Sequence, residues 1–221
     1  MNVSEALESR KSVRAYLDKA VDPALVQILL TAAGHAPSGV NSQPWQVAVV
    51  SGQSKIELQQ KMEQAFRDGV KGQMDYGYYP AEWKSPYTER RKTCGLQMYS
   101  ALDIQRQDKQ RRLDQWAANY RAFDAPVMLF FFIDSAMREG SFMDYGMFLQ
   151  SLMLAAAEQG LATCPQAALG EYPAMVKDYL GYSSDLTLLC GMALGYEDTT
   201  AAINNYRTER VDSGEFCQIF E

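Results

Sequence analysis

The sequence predicts an α+β protein in which a small central sheet is flanked by helices. Two observations support this class. Helical and strand-like segments are interleaved along the chain, and only three or four segments have the length and apolar composition of convincing strands. The 221 residues suffice to bury a sizeable core, and no repeat or linker rich in Gly, Pro or Ser interrupts them. We therefore expect a single domain over residues 1–221.

The N-terminal part of the chain carries signals for two helices. A short helix is predicted from Val3 to Ser9. A second helix should begin at Pro23, because Asp22 is a good cap and proline is tolerated at the first helical position, and it should end at Gly34. Helical spacing predicts that its buried face comprises Leu25, Ile28, Leu29 and Ala32.

Turn residues and a strand follow the second helix. The stretch HAPSGVNSQPWQ, residues 35–46, is dense in residues that favour turns. A strand is predicted for QVAVVS, residues 46–51, and a helix for residues 53–68. Residues 69–92 are rich in aromatic side chains, Gly and Pro and fit neither periodicity. We interpret them as a lid or an insertion that faces the substrate.

The second half of the chain contains the longest apolar segments. Residues 96–122 are predicted to be helical, and APVMLFFFID, residues 125–134, is the candidate central strand. Asp144 is predicted to cap a helix over 145–159 that is apolar on nearly every side, a pattern typical of a core or an oligomer interface. The remaining predictions are strands over 161–165 and 186–196, a helix from Pro173 to Leu180, and a tail over 197–221 held by other parts of the protein.

Composition argues against several classes of protein. A net charge of −6 does not favour a nucleic-acid partner, and the longest apolar run, residues 127–133, is too short to span a bilayer. No secretory signal is visible, so we expect a cytoplasmic protein without a membrane partner. The four cysteines have neither zinc-site spacing nor a disulfide framework, and His35 is the only histidine. We expect no metal and no Ser-His-Asp triad.

A cluster of cations stands out in this acidic chain. The segment ESRKSVRAY, residues 8–16, places Arg10, Lys11 and Arg14 around Ser12. Such a cluster is either a solvated helix end or a site for an anion. There is no P-loop and no G-x-G-x-x-G after a strand, so a phosphate would have to be held by side chains.

Flavin mononucleotide (FMN) has requirements that this chain can meet. Its phosphate needs Arg or Lys and hydroxyl donors, and a cation near N1 and O2 of its ring stabilises the reduced form. Arg10, Ser12 and Arg14 alternate along an extended segment and can face the same side. Small polar donors come from the turn at 37–43, and further cations come from the tail.

Four motifs in combination resemble the FMN-dependent nitroreductase family. They are SRKSVRAY near the N-terminus, APSGVNSQPW, GLATCPQAALGEYP and the tail GYEDTTAAINNYRTER, and they span nearly the whole chain. The resemblance implies a nitroreductase-like fold with a mainly antiparallel sheet. It also implies an intertwined homodimer that binds FMN at its interface, with the C-terminal tail reaching the partner.

The resemblance implies a set of cofactor contacts. Arg10 and Arg207 would hold the phosphate, assisted by Ser12 and the backbone of Lys11, and the loop at 37–41 would contact the cofactor from the other subunit. Arg14 would lie near N1 and O2, and a backbone N–H at 165–167 would reach N5. Whether Arg207 or Arg210 meets the phosphate stays open. The expected cofactor-binding residues are Arg10, Lys11, Ser12, Arg14, Pro37, Ser38, Asn41, Pro165, Gln166, Ala167, Arg207 and Arg210.

The implied activity is the reduction of nitroaromatic or related aromatic and quinone substrates by NAD(P)H, through two-electron ping-pong transfer without a catalytic side chain. Tyr79, Trp83 and Tyr87 could stack on a small aromatic substrate or simply pack under a loop. Reductive dehalogenation, quinone or flavin reduction, and flavin binding without catalysis remain open as alternatives. The sequence does not distinguish NADH from NADPH.

Overall fold

A four-stranded antiparallel sheet forms the centre of the protein. The computed structural model describes residues 1–221. The strands lie in the order β1-β2-β4-β3, and every neighbouring pair is antiparallel. Their bounds are Gln46–Ser51 for β1, Val127–Asp134 for β2, Ala162–Gln166 for β3 and Leu186–Gly195 for β4. The predicted α+β class with a mainly antiparallel sheet is confirmed.

Seven α-helices surround the sheet. Their bounds are Val3–Ser9 (α1), Pro23–Ala33 (α2), Gly52–Arg67 (α3), Tyr87–Ala101 (α4), Lys109–Ala117 (α5), Glu139–Glu158 (α6) and Pro173–Leu180 (α7). The predictions for α1, α2, α3 and α7 are confirmed to within one residue. The Asp22 side chain caps α2, as predicted, by accepting a hydrogen bond from the N–H of Ala24. None of the helices is long and apolar enough to cross a membrane.

Strand β2 is covered on both faces, which explains its unbroken apolar sequence. Leu129, Phe131 and Ile133 belong to a core shared with α2 and α6. Met128, Phe130 and Phe132 belong to a second core that is shared with α3 and α7. All six side chains are fully buried. A strand buried on both faces does not alternate between apolar and polar residues.

The prediction of one helix over 96–122 is wrong. Helix α4 begins at Tyr87, nine positions earlier, and ends at Ala101. Asp103 then adopts a left-handed φ of 48°, which turns the chain before α5 begins at Lys109. The last residues of the region predicted to be irregular, 87–92, are therefore helical. A 3₁₀ segment over Ala118–Asp124 leads into β2.

The predicted start of α6 is also wrong. The helix begins at Glu139, so Asp144 lies inside it and cannot cap it. The Asp144 carboxylate instead accepts a hydrogen bond from the backbone N–H of Gly39, at 3.1 Å, and so ties the loop after α2 to α6. In the single chain, helix α6 has one exposed side, since Met143 is 72% exposed.

The predicted buried face of α2 is rotated from the observed one. Val26, Leu29 and Ala33 are buried, at spacings of three and four residues that place them on one helical face. Ile28 and Ala32 are exposed instead. Helix α6 contacts both α1 and α2, and these three helices carry exposed apolar side chains, namely Val3, Leu7, Ile28, Met143 and Met147.

Candidate functional site

The segment after α1 runs along the edge of the sheet beside β3. Ser12 forms a parallel bridge with Thr163, and the N–H of Val13 donates to the Thr163 carbonyl at 3.0 Å. Tyr16 pairs with Glu197 in an antiparallel bridge. Because side chains alternate along an extended segment, the buried Val13 lies on the side opposite to its neighbours at positions 12 and 14. The structure thus gives the basic segment the extended form that the sequence predicted.

Three arginines gather where α1 ends. The guanidinium of Arg207 donates to the carbonyl of Arg10, at 2.9 Å, and to that of Ser9, so the tail crosses the end of α1. Burial lowers the pKa of Arg10, and the charges of Arg210 and Arg207 lower it further. The Nε atom of Arg10 is buried and has no hydrogen-bond partner. An unpaired donor beside two further cations is the electrostatic setting that an anion would relieve.

The arginines of this region lack carboxylate partners. Arg10, Arg14, Arg207 and Arg210 form no ion pair, although the chain forms eight in all and is acidic overall. Lys11 differs, because its amine pairs with Glu197 at 2.6 Å and donates to the carbonyl of Asn204. The Lys11 side chain is therefore engaged in structure, and the expectation that it serves through its backbone stays a prediction.

Arg14 forms part of the wall of a cavity of about 440 Å³. Its Nη1 donates to the Tyr206 hydroxyl at 3.2 Å and to the Ser12 carbonyl at 3.4 Å. Its guanidinium carbon lies 5.9 Å from the centroid of the Phe123 ring, within cation–π range. Phe123 is the middle residue of a run, 122–124, in which all three residues have a left-handed φ of 52° to 61°. Such a backbone costs on the order of 1–3 kcal/mol per non-glycine residue, so the surrounding packing must hold it in place.

The end of β3 lies beside the basic segment. Burial raises the pKa of the Cys164 thiol to about 11, and the charges of Arg14 and Arg10 and the polar side chain of Ser12 oppose this shift. The predicted side chains of Arg10, Ser12 and Arg14 therefore all act on one thiol, which precedes Pro165 in the sequence. Among the predicted ring contacts, Gln166 is buried, and its Nε2 donates to the Asn119 carbonyl at 3.0 Å. Its Oε1 has no partner, Pro165 is exposed and Ala167 is half-buried.

The loop with Pro37, Ser38 and Asn41 is not part of this cluster within one chain. Its hydrogen bonds go to Asp144 and to residues of the loop itself, and none reaches the arginines. The side chain of Val40 is fully exposed at the tip, where three non-glycine residues have left-handed φ values. The predicted role of the loop requires a second copy of the chain, and it stays a prediction.

The predicted substrate contacts also lie apart from the Arg14 cavity. Tyr79 and Trp83 pack against each other with centroids 5.7 Å apart, and Arg91 lies 5.2 Å over Trp83. Tyr87 is 59% exposed. Tyr76, by contrast, is a packing residue, because its hydroxyl donates to the Leu189 carbonyl at 2.9 Å. A contact between Tyr79, Trp83 or Tyr87 and a substrate stays a prediction.

Three residues that contact Arg14 were missed by the sequence analysis. They are Phe123, Asn204 and Tyr206, and the last two belong to the tail. The sequence offers little to distinguish Asn204 from Asn205 beside it, since only the structure shows that Asn204 is buried and Asn205 exposed. Phe123 likewise appears as one more aromatic residue before a strand.

Comparison with known proteins decides the family. The model of the nitroreductase family matches residues 7–196, which include the basic segment and the end of β3. The chain belongs to the nitroreductase family. The resemblance noted in the sequence is thereby confirmed.

Relatives within the nitroreductase family resemble the chain over nearly its whole length. A 4-nitrobenzoate reductase of Pseudomonas putida is 35% identical over 202 residues, which are 91% of this chain and 88% of the relative. The solved structure of the FMN and NADPH-dependent nitroreductase NfnB from Sphigopyxis sp. strain HMH has a TM-score of 0.97 and 39% identity, with both chains fully covered. That of the FMN-dependent nitroreductase NfnB from Mycobacterium smegmatis, in complex with NADPH, has a TM-score of 0.94 and 31% identity, covering 99% of this chain and 97% of that one. The nitroreductase fold thus extends through the tail beyond residue 196.

Proposed function

We propose that this protein is an FMN-dependent oxidoreductase that uses NAD(P)H to reduce nitroaromatic or related aromatic and quinone substrates, and that residues 1–221 act as one domain. The observation that carries the proposal is the group of four arginines without carboxylate partners, in which Arg10 has a buried, unpaired Nε. The relatives support it, since their names describe FMN- and NADPH-dependent nitroreductases and a 4-nitrobenzoate reductase.

The residues present fit FMN. Arg10, with Arg207 or Arg210, neutralises the phosphate, and Ser12 and the backbone of Lys11 add donors. The buried Nε of Arg10 has free hydrogen-bonding capacity for such an anion. Pro165, Gln166 and Ala167, at the end of β3 that adjoins the basic segment, would contact the FMN ring.

When bound, FMN supplies two-electron transfer between the nicotinamide donor and the substrate. Arg14 contributes a positive charge near N1 and O2, where the cofactor gains negative charge on reduction. No carboxylate forms an ion pair with this arginine, so its charge is available to the cofactor. The exposed aromatic side chains of Tyr79 and Tyr87, with Trp83, offer stacking surfaces for an aromatic substrate.

A homodimer completes the proposed site. Pro37, Ser38 and Asn41 would contact the cofactor from the other subunit, in agreement with the lack of hydrogen bonds between their loop and the arginines of its own chain. The exposed apolar side chains of α1, α2 and α6 would be buried if these helices form the dimer interface, and monomeric proteins rarely expose large apolar patches. We place the dimer in the cytoplasm, where its four free cysteines would stay reduced.

Substitution of Val40 tests the shared site. Val40→Glu should shift the protein from dimer to monomer in sedimentation velocity and should lose FMN in parallel, because it places a charge in the proposed interface. Folding should be unaffected, since the Val40 side chain is fully exposed in the chain. Val70→Glu is the matched control, as Val70 is also exposed. A Val40→Glu protein that remains dimeric and retains FMN would contradict the assignment.

Steady-state kinetics test the proposed reaction. Initial rates with NADPH or NADH at several fixed concentrations of a nitroaromatic acid should give parallel double-reciprocal lines, because donor and acceptor occupy the same site in turn. A panel that includes a quinone and an iodophenol separates nitro reduction from the alternative reactions. Intersecting lines, which require both substrates bound together, would contradict the ping-pong scheme.

A further inference from the structure

Asn204 is a buried tail residue outside the predicted cofactor contacts. It is 2% exposed and ends the 3₁₀ turn Ala202–Asn204. Its Oδ1 accepts the backbone N–H of Arg14 at 2.9 Å, and its Nδ2 donates to the carbonyls of Ala15 at 2.8 Å and Asp198 at 2.9 Å. Both side-chain donors and one acceptor position are thus in use. Two of the three bonds hold the backbone on either side of the Arg14 side chain.

The same part of the tail also holds the Arg14 guanidinium. Tyr206, two residues after Asn204, presents its hydroxyl to Nη1 of Arg14 at 3.2 Å. Phe123, in the left-handed run 122–124, also places its ring within cation–π range of this guanidinium. Lys11, which donates to the carbonyl of Asn204 and pairs with Glu197, fastens the tail to the basic segment at a further point.

We propose that Asn204 is a positioning residue for Arg14. It fixes the backbone at 14–15, Tyr206 fixes the guanidinium, and together they set where the positive charge stands relative to the N1 and O2 end of bound FMN. This inference rests on the proposed function, because it requires Arg14 to face the cofactor ring. The placement matters because charge stabilisation in a partly buried site falls steeply when the charge is displaced or becomes mobile.

The first arm of the test needs no cofactor. In Asn204→Ala, hydrogen–deuterium exchange of the FMN-free protein should show amides 13–17 exchanging at least about tenfold faster, because the Arg14 N–H loses its acceptor. The rest of the sheet should keep its protection. Tyr145→Phe is the control, since it deletes a buried hydrogen bond to the Gln46 carbonyl in the core shared with α6. Unchanged exchange at 13–17 in Asn204→Ala would overturn the inference.

The second arm measures the midpoint potential of bound FMN. Asn204→Ala and the conservative Tyr206→Phe should each lower the relative affinity for reduced over oxidised FMN about tenfold, which makes the two-electron potential about 30 mV more negative. Tyr145→Phe should leave the potential unchanged. If Asn204→Ala folds poorly, the midpoint potential of Tyr206→Phe still tests the proposal. Faster exchange at 13–17 without any change in potential would overturn the positioning role.

The two arms separate this inference from the proposed function. If the unmodified protein fails to bind FMN, the proposed function and the cofactor part of this inference are both wrong. The exchange arm would still decide whether Asn204 holds Arg14. If FMN binds and is reduced normally, but all variants share the potential of the unmodified protein, the proposed function stands and the inference fails.

Discussion

Replacing Arg10 with alanine should lower the affinity for FMN about 10- to 100-fold, because a hydrogen-bonded contact between charged groups contributes about 1.5–3 kcal/mol. The FMN-free protein should be equally or more stable. Burial and the charges of Arg210 and Arg207 lower the pKa of Arg10, which means that the folded state disfavours its charged form. At neutral pH the arginine is charged in both states, so its removal relieves an unfavourable interaction that only the anion offsets.

Fluorescence titration of the FMN-free protein with FMN measures the change in affinity, and thermal unfolding without FMN measures the change in stability. Arg106→Ala is the matched control, because Arg106 is an exposed arginine without an ion pair. The same titration on Arg207→Ala and Arg210→Ala identifies which tail arginine meets the phosphate. Unchanged FMN affinity in Arg10→Ala would remove Arg10 from the site, and a large loss of stability without FMN would make it a structural residue.

Replacing Gly191 with alanine should destabilise the protein by about 3 kcal/mol, at the upper end of the usual cost of overpacking a core. An added Cβ would lie 2.6 Å from Cβ of Leu169 and 2.8 Å from the carbonyl oxygen of Leu129. The Leu129 backbone belongs to β2, in the middle of the sheet, and cannot move aside without breaking the ladder. Since Gly191 pairs with Gln166, we expect the distortion to reach the end of β3 at the site.

Urea unfolding measures the change in the free energy of unfolding. Gly95→Ala is the control, because no atom lies within 4 Å of an added Cβ at that position in α4. It should stabilise the protein by about 0.5–1 kcal/mol, the usual gain of alanine over glycine inside a helix. If Gly191→Ala were as stable as the unmodified protein, the close packing of β4 described above would be incorrect.

Much of the fold could be predicted because its signals are local. The apolar run of β2 and the Asp-Pro start of α2 each lie within a few adjacent residues. The start of α6 could not be found in this way, since Arg138 offers no capping hydrogen bond and a glycine follows in the first turn. Helix α4 begins after Pro86 without a capping hydrogen bond, so no local signal marks its start.

In the candidate site, too, the features with local signals could be predicted and those that depend on distant residues could not. The alternation of Arg10, Ser12 and Arg14 is local, and the structure agrees with it at the edge of β3. The contact between Asn204 and Arg14 joins residues 190 positions apart, so no periodicity can indicate it. The left-handed backbone at Phe123 leaves no trace in the sequence either, because it occurs there without a glycine. The loop at 37–41 requires a second chain.

The central claim is that this member of the nitroreductase family carries electrons from NAD(P)H to nitroaromatic compounds through bound FMN. Two anaerobic additions to the purified, FMN-loaded protein test it, with the blue absorbance band of the cofactor as the readout. One equivalent of NADPH or NADH should bleach the band, and a nitroaromatic acid should then restore it while being consumed. A protein that does not bind FMN, that neither donor bleaches, or whose bleached band no nitroaromatic compound restores would contradict the claim.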